Sequence, residues 1–187
     1  MTGEAGNASR RKVIVEATAR SLEWASAWRT QDESGPTFSR VIRTNFGDRM
    51  AKIFRENSDS LVYFLGQIAK QDLPAYYHAC DIFCLPSIDQ SESFGIAQLE
   101  AMACSKPVVC CDVTQATSNL NQDNETGFVV PPRCPISLAN AVRQLYQEPL
   151  LRYALGRSAY KYAKERFTTK EMVQQVKALY EQIGIVN

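Results

Sequence analysis

Ile82-Phe83-Cys84-Leu85-Pro86, followed by Ser91-Glu92-Ser93-Phe94-Gly95-Ile96-Ala97-Gln98-Leu99-Glu100-Ala101-Met102-Ala103 and then Val108-Val109-Cys110-Cys111, decides the fold. Unbroken apolar runs of four residues, the first stopped by a proline, read as short strands with neither face in water. The segment between them has helix composition from about Phe94 to Cys104. Strand, helix and strand in that order form a crossover unit, and crossovers join parallel neighbours.

The alternation extends both ways. Leu61-Val62-Tyr63-Phe64-Leu65, ending at Gly66, reads as another strand, and Asp72 is placed to cap a helix running to about Cys80. Gly127-Phe128-Val129-Val130 is a strand closed by Pro131-Pro132. The pattern predicts an α/β fold, a Rossmann-like and mostly parallel sheet with helices on both faces. After Pro135 the chain reads as all-helical: Ile136 to Tyr146, a short helix from Pro149, another from Arg157 to Arg166, and a last one from Thr169 to Ile183. In that last helix Met172, Val176, Leu179, Tyr180 and Ile183 form one stripe, expected to pack into a core.

Upstream, a short strand is expected at Val41-Ile42 and a helix from about Asp48. Residues 1–36 read as an N-terminal appendage, helical from Lys12 to Arg29 and ending in the polar breaker Gln31-Asp32-Glu33-Ser34-Gly35-Pro36; residues 37–187 form the domain.

Composition narrows the function classes. With 21 basic and 20 acidic residues and a net charge of +1, no overall field draws a polyanion to the surface, so nucleic acid is not an expected partner. The run Arg10-Arg11-Lys12 reads as a solvated basic stretch. No apolar stretch reaches bilayer length and the first twelve residues are polar, so a cytoplasmic location is expected. The six cysteines lack CxxC spacing and fall mostly in apolar runs, which predicts reduced core residues and no metal site. His78, set among Tyr76, Tyr77 and Ala79, reads as a packing or surface residue.

The chemistry concentrates at 91–103, where a helix opens just past a strand end, the place where open α/β sheets bind ligands. Glu100 sits among apolar and small residues, so its carboxylate needs a partner, and a ligand's hydroxyl pair would serve. Glu92 precedes it by eight positions, about 12 Å at helical rise, comparable to the reach of a nucleotide diphosphate sugar from ribose to sugar ring. Between them the amides of Phe94, Gly95 and Ile96 and the positive helix end suit a diphosphate, with Gly95 allowing close approach. The alternative is structural: Glu92 improves the first turn and Glu100 meets a neighbouring basic side chain.

The run Glu92-Ser-Phe-Gly-Ile…Leu99-Glu-Ala-Met-Ala…Lys106-Pro-Val-Val, preceded by Phe64-Leu-Gly…Asp72-Leu-Pro…Tyr77…Cys80-Asp-Ile-Phe-Cys-Leu-Pro-Ser, closely resembles the C-terminal domain of family-four retaining glycosyltransferases of the GT-B fold. The likeness continues through Asn124-Glu-Thr-Gly-Phe-Val-Val-Pro-Pro to Phe167-Thr. It implies transfer of a sugar from a nucleotide-diphosphate donor to an acceptor hydroxyl with retained anomeric configuration, and no cofactor or bound metal. By that resemblance Glu100 holds the ribose hydroxyls, Glu92 contacts the donor sugar as the catalytic candidate, and Ser93, Phe94, Gly95 and Ile96 line the phosphates. The backbone near Ile68 meets the base.

There are departures. The family usually carries glycine where this chain has Ser105, a change that is harmless if the backbone angles there are ordinary, and a glycine-rich loop where it has Thr114-Gln115-Ala116-Thr117. The Gly-Arg and Lys-Gly elements that bring cations to the diphosphate are not recognisable. The acceptor-binding domain is expected to be missing, either on the rest of a longer enzyme or on a separate chain, so the isolated chain is expected to bind a donor without transferring its sugar. The rival reading is a noncatalytic binding or interaction module.

Overall fold

Apolar runs of four residues build the centre of the structure, because alternate side chains of a strand can be buried on each face of a sheet. The computed structural model describes residues 12–16, 39–43, 62–65, 68–88, 94–113 and 119–184. Its strands are β1 (Lys12–Glu16), β2 (Ser39–Arg43), β3 (Val62–Phe64), β4 (Ile82–Leu85), β5 (Val108–Cys111) and β6 (Gly127–Val130). They form one sheet in the order β3-β2-β1-β4-β5-β6, and every pairing is parallel. This is the doubly wound order, in which successive strands are laid down in one direction from β1 to β3 and in the other from β4 to β6.

The described helices are α1 (Leu73–Ala79), α2 (Ile96–Ala103), α3 (Pro135–Gln147), α4 (Pro149–Arg166) and α5 (Thr169–Gln182). Ile82, Cys84, Val109, Cys111, Phe128 and Val130 bury against Leu138, Val142 and Leu145 of α3. Their sequence neighbours Phe83, Leu85, Val108 and Cys110 bury on the other face with Tyr77 of α1 and Ala101 and Met102 of α2. α4 serves both clusters, Leu155 joining the first and Ala159 and Ala163 the second.

Several sequence expectations need correction. Lys12–Glu16 begins the stretch expected to be helical and set apart as an appendage; it is instead β1, hydrogen-bonded between β2 and β4. Val13-Ile14-Val15 is β-branched throughout, which favours the pleated conformation over a helix. The rest of 1–36, and the helix expected from Asp48, lie outside the described residues. Asp72 occupies the N-cap position of α1 without a side-chain capping bond, and Pro74 in the first turn sets the start instead.

The two helices expected from Pro149 and Arg157 are one, α4. Gly156 does not break it; a Cβ there would stand 2.3 Å from the Ser105 carbonyl oxygen, so the glycine permits close contact with the turn after α2. The stripe on α5 is not core: Met172, Val176, Leu179, Tyr180 and Ile183 are all exposed. α5 starts from a Thr168 cap, whose Oγ1 accepts from the Glu171 amide at 3.2 Å, and presents its apolar side outward. Amphipathicity specifies a face to be covered and not what covers it.

Ser105 does not have ordinary backbone angles. Its φ is +59°, in the left-handed region. It follows the C-cap Cys104 of α2, with the Ser105 amide bonded to Met102 O at 2.8 Å and the Lys106 amide to Ala101 O at 3.1 Å, the paired hydrogen bonds of a Schellman motif. That motif normally places glycine where this chain has serine.

Cys80, Cys84, Cys110 and Cys111 are buried free thiols, while Cys104 and Cys134 are partly exposed. Burial pushes the Cys80, Cys110 and Cys111 thiols up to about 12 and Cys84 well above its ordinary value. His78 is exposed, and its carbonyl accepts from Lys106 Nζ at 2.9 Å. No helix among the described residues is long and apolar enough to cross a membrane.

Candidate functional site

The strand order reverses between β1 and β4, so a crevice opens there at the C-terminal ends of the strands. The chain leaving β4 runs through Pro86 and Ser87 and enters α2 at Gly95, placing the N-terminus of α2 beside that crevice. Gly95 is the N-cap, at φ +79° and ψ +44°, and is buried. A Cβ at Gly95 would come within 2.5 Å of Gln98 Nε2, which would have to shift, and the left-handed backbone angle itself calls for glycine. Its carbonyl accepts from the Gln98 amide at 2.8 Å, which starts the helix and leaves the Ile96 and Ala97 amides without intrahelical acceptors. Those amides and the helix dipole favour an anion.

Phe94 and Ile96 flank this terminus and are exposed, at 43% and 64%. Phe94 meets Phe167 edge-on, with centroids 6.5 Å apart, and Phe167 in turn packs against Tyr162 at 5.6 Å. The C-terminal turn of α4 thus stands next to the N-terminal turn of α2, a neighbour that sequence spacing did not reveal.

One turn into α2, Glu100 is half-buried. Its Oε2 accepts a 2.8 Å hydrogen bond from the Tyr77 hydroxyl of α1. The expected alternative, a basic side chain, is not what meets it among the described residues. Tyr77 is only 3% exposed, and its ring packs edge-on against Phe83 of β4 at 5.6 Å. Sequence reading noted Tyr77 without assigning it a task; the available signal was that a buried tyrosine hydroxyl normally finds a partner.

Ile68 follows β3 and packs half-buried against the cluster containing Tyr77 and Phe83. Glu92 and Ser93 lie outside the described residues. The structure therefore gathers Phe94, Gly95, Ile96 and Glu100 on α2 and the turn that opens it. By contrast, Asn124 to Thr126 precede β6 and so lie at the opposite edge of the sheet from the residues that follow β4. There Thr126 is structural: its hydroxyl donates to Asn121 Oδ1 and accepts from the Gln122 amide, both at 2.8 Å.

Residues 55–162 match the family described as glycosyl transferases group 1. The chain is 32% identical over 159 residues to D-inositol 3-phosphate glycosyltransferase from Kineococcus radiotolerans, covering 79% of this chain and 35% of that protein. It is 35% identical over 107 residues to D-rhamnosyltransferase WbpZ from Pseudomonas aeruginosa, covering 57% of this chain and 28% of that protein. The chain therefore spans about a third of the length of these curated relatives. Among solved structures, Anabaena HepE in complex with UDP superposes with a TM-score of 0.75 at 23% identity, over 93% of this chain and 50% of that one. The C-terminal domain of the group 1 protein LpcC from Francisella tularensis gives 0.69 at 22% identity, over 85% of this chain and 87% of that one.

Proposed function

Because the chain belongs to the group 1 glycosyl transferases and has the fold of a GT-B C-terminal domain, we propose that it binds a nucleotide-diphosphate sugar at the N-terminus of α2 and Glu100. In this reading the domain supplies the donor half of a retaining transfer to an acceptor hydroxyl. The observation that carries it is the half-buried Glu100 carboxylate, held by Tyr77 on the helix that opens at the strand-order reversal. A carboxylate has four lone-pair sites, so one tyrosine bond leaves capacity for the vicinal hydroxyls of a ribose. Support also comes from HepE, solved in complex with UDP.

The chemistry is electrostatic and positional. Charge builds on the departing diphosphate, and the Ile96 and Ala97 amides with the helix dipole would stabilise it without a bound metal. Glu92 is the residue that would face the donor sugar. Transfer requires an acceptor hydroxyl held against the anomeric carbon, which in this reading another domain or chain provides.

The test is thermal stabilisation of the purified chain by UDP, GDP, ADP and their sugars, since a ligand that binds only the folded state raises its stability. Glu100→Ala should keep the fold and weaken the best nucleotide by about 10-fold to 100-fold, as expected for about 1.5–3 kcal/mol from a charged hydrogen bond. Equal affinity in the two proteins would overturn the assignment. The exposed stripe on α5 favours a second reading, a noncatalytic interaction module, which would show no nucleotide stabilisation.

A further inference from the structure

We infer that Tyr77 is a positioning residue that sets the carboxylate of Glu100 for the two ribose hydroxyls, and so determines how strongly the site prefers ribose to 2′-deoxyribose. The inference rests on the nucleotide-binding reading above and assigns Tyr77 a task within that site.

The geometry is specific. Tyr77 belongs to α1 and Glu100 to α2, 23 positions apart in sequence, and they meet through one 2.8 Å bond from hydroxyl to Oε2. The tyrosine ring is held between elements: it is 3% exposed, edge-on to Phe83 of β4, and in the same cluster as Ala101 and Met102 of α2. A ring so enclosed has a fixed direction for its hydroxyl. Glu100 is less constrained, because it is half-buried and its side chain has three rotatable bonds. Donating to Oε2 selects one rotamer, and the second oxygen is then directed without further loss of entropy when a ligand arrives.

A ligand with both ribose hydroxyls would gain from that preorganisation, while a 2′-deoxy ligand can use only part of it. Removing the Tyr77 hydroxyl should therefore weaken ribonucleotides selectively. A purely structural role for Tyr77 would weaken both classes alike.

The experiment measures affinities of UDP, GDP and ADP and of dUDP, dGDP and dADP by calorimetry for the full chain, Tyr77→Phe, Glu100→Gln and the double variant. The original protein should prefer the best ribonucleotide over its deoxy counterpart by about 10-fold or more. In Tyr77→Phe the ratio should fall to about 3-fold, with ribonucleotide affinity down about 5-fold and deoxynucleotide affinity changed less than about 2-fold. Glu100→Gln should abolish the preference, and adding Tyr77→Phe to it should change nothing more. Each ratio is taken on one protein, so a lowered folded fraction cancels. Incorporation of 4-aminophenylalanine at position 77, which keeps the ring and an N–H donor, should restore the preference and serves if the phenylalanine variant does not fold. A Tyr77→Phe ratio equal to that of the original protein, with Glu100→Gln abolishing it, overturns the role of Tyr77 alone. Absence of any nucleotide binding by the original protein overturns the donor-site reading and this inference with it.

Discussion

Replacing Ser105 by glycine should stabilise the protein. Ser105 holds a left-handed φ of +59° at the end of α2, a conformation that places a Cβ too near the following carbonyl and costs an L-residue about 1–2 kcal/mol. Glycine removes that cost but loses more backbone freedom on folding, which offsets about 0.5–1 kcal/mol. The two hydrogen bonds of the motif, from Ser105 N to Met102 O and from Lys106 N to Ala101 O, are backbone bonds and survive the change. The serine side chain is exposed, so little packing is lost. The net gain is about 0.5–1 kcal/mol, or about 1–4 °C in melting temperature for a domain of this size. Urea unfolding followed by circular dichroism at 25 °C measures it, with Ser105→Ala as the control that retains the Cβ and should differ little from the original. A midpoint that falls in Ser105→Gly, or rises equally in Ser105→Ala, would refute the backbone argument.

Three further outcomes are expected. Gly156→Ala should destabilise by about 2 kcal/mol or more, because its Cβ would meet the Ser105 carbonyl oxygen at 2.3 Å and neither backbone segment can give way easily; urea midpoints decide it. Stability should decline above pH 9. The Cys80, Cys110 and Cys111 thiols are raised to about 12 when folded, so unfolding releases protons in the window from 9 to 12. At pH 10 each buried thiol should remove on the order of 1 kcal/mol relative to neutral pH, measured by urea titration against a Cys110→Ala variant with a shallower decline. Finally, nucleotide stabilisation should persist in EDTA, since helix amides are proposed to carry the diphosphate; loss on chelation with recovery on adding manganese or magnesium would count against that.

Much of the sheet was legible because β4, β5 and β6 are unbroken apolar runs with turn residues at their ends, and a run of four buried residues has few alternatives in a crossover pattern. β1 was misread because five residues leave little room for a period, and the broadly helical spacing of Ile14, Ala17, Leu22, Ala25 and Trp28 outweighed the β-branched Val13-Ile14-Val15. The helices expected from Pro149 and from Arg157 are one, because Gly156, which falls between them, lies inside α4 and packs closely against Ser105. The stripe on α5 was correctly amphipathic but wrongly assigned to a core, since periodicity reports the face and not its occupant. At the site, Glu100 stood out by contrast with its apolar neighbours, and Gly95 by its missing side chain at a helix N-terminus. Tyr77 did not, because its bond to Glu100 joins residues on different helices and no local spacing encodes it.

The place of β1 bears on how the chain assembles as it leaves the ribosome. β1 is made before the other described strands, yet it lies in the middle of the sheet, where Val13 pairs with Ile82, 69 positions later. Until β4 has emerged, β1 can be completed only on its β2 side, and its other edge is an open row of backbone donors and acceptors. Closing that gap is a nonlocal step of the kind that slows folding and leaves an edge exposed to pairing with other chains. The half of the sheet from β4 to β6, by contrast, can form from contiguous sequence with α2 as its first crossover. Losing the first 16 residues would therefore separate β2 and β3 from β4 and turn the middle of the sheet into two edges.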